Sequence, residues 1–170
     1  MDALEAVLLA RRLLEGVTPL RRDCGRVCGA ACCEADEDGQ GGMLLLPGEE
    51  ALYDPLPPGF RLTKDDGVLP GMALLTCAGH CARETRPYAC RVFPLSPEIA
   101  PEGVLRVRVD PRAFAVCPLC GQGIRGMRGD FAQAVLESAR VLCQFAPYRA
   151  YFEALGRYFA RLRAWEVEQA

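Results

Sequence analysis

Apolar residues recur with helical spacing at both ends of the chain and lose that rhythm between them. Over residues 3–15, Leu4, Val7, Leu8 and Leu14 fall largely on one stripe of a 3.6-residue period, and Gly16, Thr18 and Pro19 close the segment. This pattern predicts an amphipathic helix. Near the other end, Asp130 reads as an N-cap after Gly129, and Phe131, Val135, Ala139 and Leu142 follow at helical steps. Pro147 opens a last helix, on which Tyr148, Phe152, Leu155, Phe159 and Leu162 recur at alternating steps of four and three. That aromatic stripe reads as core packing.

The middle of the chain follows other rules. Residues 21–42 are glycine-rich and acidic, with no periodicity, and predict an irregular segment. Residues 43–46 form a short apolar run stopped by Pro47-Gly48, a strand pattern. Pro55, Pro57, Pro58 and Gly59 mark a loop, and residues 72–76 suggest a second strand leading to Cys77. Residues 103–109 alternate apolar and basic, as a half-buried strand does. The expected architecture is α+β. It is a single small domain over residues 1–170, with an irregular cysteine-rich middle and short strands, flanked by an N-terminal helix and two C-terminal helices. Its metal-binding core spans about residues 24–120 and its helical part residues 130–165. No internal repeat or domain boundary is visible.

Composition narrows the function. With 170 residues, 51% of them hydrophobic and 25% charged, the chain can bury a core and is not expected to be disordered. A formal net charge of −2 supplies no basic field for nucleic acid. Its apolar runs are too short for a membrane helix, and Asp2, Glu5, Arg11 and Arg12 interrupt the first fourteen residues where a signal peptide would need an apolar core. The expectation is a cytoplasmic protein without a nucleic-acid or membrane partner.

Ten cysteines and a single histidine, His80, change the picture most. In a reducing compartment clustered cysteines are metal ligands more often than disulfides, and the adjacent Cys32 and Cys33 cannot readily pair with each other. The first cluster is Cys24, Cys28, Cys32 and Cys33, with Gly25 and Gly29 expected to allow the tight backbone that wraps a metal centre. The second is Cys77, Cys81 and Cys90, with Arg83, Arg86 and Arg91 beside them. A site of four thiolates around Zn²⁺ or a [4Fe–4S] core keeps net negative charge. Arg86 and Arg91 are therefore expected to donate to sulfur and offset it. The third is Cys117-Pro118-Leu119-Cys120-Gly121, in which Cys117 is expected to complete a site begun elsewhere. With one histidine, a His-based metal enzyme is excluded, and His80 itself reads as incidental.

These residues carry a resemblance. Cys24, Cys28, Cys32 and Cys33, then Cys77, Cys81, Arg86-Pro87, Cys90-Arg91 and Phe93-Pro94, with Cys117-Pro118 later, resemble the motifs of the bacterial and archaeal cysteine-cluster family called YkgJ-like, described as zinc- or iron-chelating. The first motif here has three residues between its early cysteines where the family has two. The resemblance implies metal binding through Cys24, Cys28, Cys32, Cys33, Cys77, Cys81, Cys90 and Cys117, in a structural or redox role. The cofactor is expected to be an iron–sulfur cluster, [4Fe–4S] first, or zinc. Only one Cys-x2-Cys pair is present where a zinc ribbon needs two, which favours iron. The flagellin lysine methylases carry a similar cluster, so an iron–sulfur-dependent enzyme using S-adenosylmethionine is one alternative. Metal sequestration or delivery is the other.

Weaker signals read blandly. Gly121-Gln122-Gly123-Ile124-Arg125-Gly126 fits a dinucleotide fingerprint but follows no strand, and is expected to be a flexible glycine linker. Glu34, Asp36, Glu37 and Asp38 read as a solvated loop, and Cys143 as a small buried hydrophobe.

Overall fold

The computed structural model describes residues 1–22, 24–33, 42–79 and 81–169. The acidic run at residues 34–38 and His80 lie outside the described residues. Helix α1 (Ala3–Leu13) starts at a complete capping box. The Glu5 N–H donates to Asp2 and the Asp2 N–H donates to Glu5, each at 2.8 Å. Its buried stripe is Ala6, Val7, Ala10 and Leu14, whereas Leu8, expected on that stripe, faces outward. Small residues win the inner face because α1 lies along helix α4 (Gly129–Leu142).

Helix α4 buries Phe131, Val135, Ala139 and Leu142, as its periodicity predicts. Its N-cap is Arg128, however, and Asp130 sits inside the first turn, accepting from the Arg128 guanidinium and the Phe131 N–H. Arg128 takes the cap position because its own N–H is held by the Pro19 carbonyl at 2.9 Å. Helix α5 (Ala146–Gln169) has Pro147 in its first turn and buries Tyr148, Phe152, Leu155 and Phe159. The aromatic stripe is core, and Cys143 packs half-buried against the same cluster. Among the described residues, no helix is long and apolar enough to cross a membrane.

Two small antiparallel sheets complete the α+β fold. Strands β1 (Met43–Leu44), β2 (Phe60–Lys64) and β3 (Ala73–Cys77) pair in the order β1-β3-β2, with Met43 opposite Leu75 and Phe60 opposite Cys77. A short helix, α2 (Gly25–Cys28), precedes them, and helix α3 (Tyr88–Val92) follows. Strands β4 (Leu95–Ile99) and β5 (Leu105–Val109) form a ribbon, Pro97 opposite Val107. All five residues of β4 are buried between helices and ribbon, Glu98 included. Glu98 is tolerated there because Arg163 of α5 donates to both its oxygens at 3.0 and 2.8 Å. The expected strands at 43–46, 72–76 and 103–109 are present with shorter or shifted bounds, while β2 and β4 carry no expectation.

The contact of α5 with β4 requires glycine. A methyl group built on Gly156 would stand 2.0 Å from the Ile99 carbonyl oxygen and 2.9 Å from its carbon. Alanine is the better helix former, so intrinsic propensity alone would raise stability. Gly156→Ala is instead expected to cost about 3 kcal/mol and lower the Tm by roughly 10 °C in thermal denaturation. An unchanged or raised Tm would show that the helix does not press on the strand there.

Candidate functional site

Eight of the ten cysteines meet around one cleft of about 390 Å³. They are Cys24, Cys28, Cys32, Cys33, Cys77, Cys81, Cys90 and Cys117, and they arrive on four separate stretches of chain. Met43, Phe93, Pro94, Val116 and Leu119 form apolar wall, and Arg26 and Arg86 also line it. All ten cysteines carry thiols rather than disulfides. Among the described residues, no three His, Cys, Asp or Glu side chains stand together closely enough to hold a metal ion.

The first wall is the segment 24–33. Cys24 caps α2 and Cys28 ends it, the Cys28 thiol lying 3.7 Å from the Cys24 carbonyl. Gly29 then turns left-handed at φ 64°, and Ala30 follows at φ 61°. Gly25, expected to share that task, is helical instead, because it supplies the carbonyl that the Gly29 and Ala30 N–H groups use to close α2. Cys32 and Cys33 sit in a single 3-10 turn (Ala31–Cys33) and hydrogen-bond each other. Neither short helix in this segment contains a buried residue, so no apolar core holds it in place.

The second wall has firmer supports. Cys77 ends β3, where the Gly79 N–H donates to it and the Cys81 thiol is beside it. Cys90 rides on α3, near Cys81, Cys33 and Cys77. Helix α3 is capped by a carboxylate from a distant part of the chain. Glu49 is wholly buried and accepts from the Tyr88 N–H at 2.8 Å and from the Leu46 N–H at 3.1 Å, with Arg11 of α1 at 3.8 Å. Burial pushes its carboxyl up, against the downward pull of those N–H groups and of Arg11. Cys117 is set by another buried carboxylate. Asp110 accepts from the Arg112 N–H at 2.9 Å and opens the 3-10 turn Pro111–Ala115, to which the Cys117 N–H is tied through the Ala113 carbonyl at 2.7 Å.

Cys32, Cys77 and Cys90 resist ionisation. The Cys33 contact, burial, and the neighbouring Cys33, Cys28 and Cys24 push the Cys32 thiol far up. Burial raises Cys90 most, with Cys81, Cys33 and Cys77 adding to it. Burial likewise raises Cys77, with Cys81 and Cys33 adding. Neighbouring thiolates repel one another in a low dielectric, which favours the neutral form of these three.

The arginines divide. Arg86, expected to donate to sulfur, lines the cleft, whereas among the described residues Arg91 donates to oxygen. Its buried guanidinium donates to the Arg86, Arg11, Arg83 and Glu84 carbonyls at 3.0, 3.3, 2.8 and 3.2 Å, and to Glu15 at 2.6 Å. Arg83 donates to the Leu14, Glu15 and Val17 carbonyls at 2.6, 2.8 and 2.8 Å. Both therefore cap the C-terminal end of α1, where orphan carbonyls and the helix dipole favour a cation. Sequence reasoning missed Glu49, Glu15 and this clamp, since partners up to 80 residues away leave no local signal.

Compared with protein-family models, curated proteins and solved structures, the chain matches none. The glycine run 121–126 lies in 3-10 turns (Pro118–Gly126) broken at Gly123, so it is neither a flexible linker nor the strand-to-helix joint of a dinucleotide site. The Gly123 backbone, at φ 61° and ψ −155°, breaks the turn, and a 3-10 turn rather than a strand precedes it.

Arg91→Lys keeps a cation but loses the fork, and is expected to cost roughly 3 kcal/mol in urea denaturation, since an ammonium cannot reach four carbonyls and a carboxylate. The hydrogen bond from Arg91 holds the Glu15 carboxyl below its ordinary 4.5, so its contribution is complete above that pH and is lost as the pH falls below it. Glu15→Gln should flatten the fall in stability below pH 4.5, and an acid limb identical to that of the unmodified chain would remove Glu15 from the clamp.

Proposed function

We propose that the cleft is a thiolate metal centre in a cytoplasmic metalloprotein, holding an iron–sulfur cluster, [4Fe–4S] first, or zinc, in a structural or redox role. The observation that carries this reading is the convergence of eight cysteines from four stretches of chain on one cleft. The donor set fits the chemistry, because soft thiolates suit iron–sulfur clusters and zinc alike. The lack of buried residues in the two short helices of segment 24–33 supports it too, since metal ligation supplies the folding energy that an apolar core would otherwise supply. Raised thiol pKa values fit a cluster that is charged only when a cation is present.

Iron–sulfur is favoured over zinc on two grounds. The single Cys-x2-Cys pair does not assemble a zinc ribbon. Met43, Phe93, Val116 and Leu119 put apolar surface beside the sulfurs, and such surroundings tune redox potential in iron–sulfur sites. Cys24, Cys28, Cys32 and Cys33 would bind from one side and Cys77, Cys81, Cys90 and Cys117 from the other. Arg26 and Arg86 offset the net negative charge. When bound, the cluster would supply one-electron chemistry and zinc a closed structural cross-link. The YkgJ-like resemblance agrees with either.

Elemental analysis and a visible spectrum on protein purified without oxygen test this. Cys28→Ser and Cys90→Ser are each expected to lose at least half of the iron or zinc, while Cys143→Ser, outside the cleft, keeps it. Wild-type metal content in both cleft variants would overturn the reading. Because thiols give up their protons on ligating a metal, loading zinc should release protons, and zinc affinity should fall steadily as the pH drops from 8 to about 6. A pH-independent affinity would mean that the thiols are not the ligands.

A further inference from the structure

Cys120 is one of the two cysteines that the cleft leaves out, and its position beside Cys117 is specific. Cys117 is the N-cap of the 3-10 turns Pro118–Gly126, with extended backbone at φ −107° and ψ 112°, and Cys120 is the third residue inside. The Cys120 N–H donates to the Cys117 carbonyl at 3.1 Å. N-cap and third-position side chains lie on the same side of such a turn, where in a capping box each reaches the other residue's N–H. Here both are thiols; burial pushes the Cys120 thiol up, and Cys117 is near enough to add to it. A hydrogen-bonded turn of this kind keeps its end Cα atoms within about 7 Å, close to the range a disulfide spans. The two sulfurs differ in access. Cys117 is half-buried on the cleft wall, and Cys120 is only 2% exposed.

We propose that Cys117 and Cys120 form a reversible thiol–disulfide pair whose co-substrate is a small disulfide of the glutathione type. The Cys117 thiolate, its proton given to solvent, attacks one sulfur of the small disulfide. An S–S bond to Cys117 forms, the original S–S bond breaks, and one small thiolate leaves with its electron pair. Cys120, also losing its proton, then attacks the Cys117 sulfur and expels the second small thiolate. Two protein thiols are oxidised, one small disulfide is reduced to two thiols, and the two protons end on those products. Access sets the order, since a small disulfide can reach Cys117 and only Cys117 can reach Cys120. Oxidation withdraws Cys117 from the cleft. That consequence rests on the metal-centre reading, whereas the pair itself does not.

Trypsin separates the pair from every other cysteine, because cleavage after Arg112 and Arg125 yields residues 113–125, with Cys117 and Cys120 alone. The full chain is equilibrated with glutathione buffers stepped from reducing to oxidising, with chelator present, then quenched, alkylated and digested. Circular dichroism on the same samples checks that the helices persist. The expected result is a 113–125 peptide that resists alkylation and is lighter by two hydrogens, formed before the other eight cysteines react. Cys120→Ser should stop at the first step and carry one glutathione on Cys117. A 113–125 peptide that stays alkylatable across the series, or takes glutathione on both sulfurs, or is joined to another peptide, would overturn the proposal. The series repeated without chelator reads the metal alone. If Cys117 is a ligand, oxidation is delayed to more oxidising buffers. If the two series coincide while the peptide still closes, the pair stands and Cys117 is removed from the metal site.

Discussion

The guanidinium of Arg91 ties the cysteine-bearing segment 83–91 to the C-terminal end of α1. It is buried, it gathers the Arg83, Glu84 and Arg86 carbonyls of its own segment, and it crosses to the Arg11 carbonyl and the Glu15 carboxylate. Arg83 repeats the device one layer out, on the Leu14, Glu15 and Val17 carbonyls. A fork of charge-assisted hydrogen bonds fixes orientation as well as distance, which a hydrophobic contact does not. Glu49 extends the same network inward, taking the Tyr88 N–H at the start of α3 and facing Arg11. The helix that carries Cys90 is thereby oriented by charge as well as by burial of Tyr88 and Val92 in the core.

The cleft is consequently uneven in its supports. Cys77, Cys90 and Cys117 stand on a strand end, a capped helix and a carboxylate-anchored turn, each tied to the core. The opposite wall, residues 24–33, is built of short turns whose helices bury no residue. One side of the site is tied to the packed core and the other rests on short turns. Crowded thiols are comfortable as neutral groups and repel as thiolates, as the raised Cys32 thiol shows.

The helical ends were legible before any coordinates. Phe131, Val135, Ala139 and Leu142, and the stripe from Tyr148 to Phe159, are core because periodicity of 3.6 is imposed by a single packing face. Strand β4 was not legible. Its sequence, Leu-Ser-Pro-Glu-Ile, breaks alternation and contains a proline, and it is a strand because α5 covers it, Arg163 neutralises Glu98 and β5 pairs with it. Strand β2 is an exposed edge with one neighbour, and its pattern of Phe, Arg, Leu, Thr and Lys is too short to separate from the prolines before it.

The eight cleft cysteines could be grouped from spacing and motif alone, because each cluster is local and its chemistry belongs to the residue type. Composition and periodicity likewise sufficed for an α+β chain with helices at both ends. The roles of the charged residues were decided only by tertiary structure. Arg86 lines the cleft and Arg91 five residues later does not, although both read as partners of sulfur. Which carbonyls are left orphaned at a helix end, and which carboxylate is buried near them, depends on how distant segments pack. Thiols act through what they are, and a guanidinium acts through what it can reach.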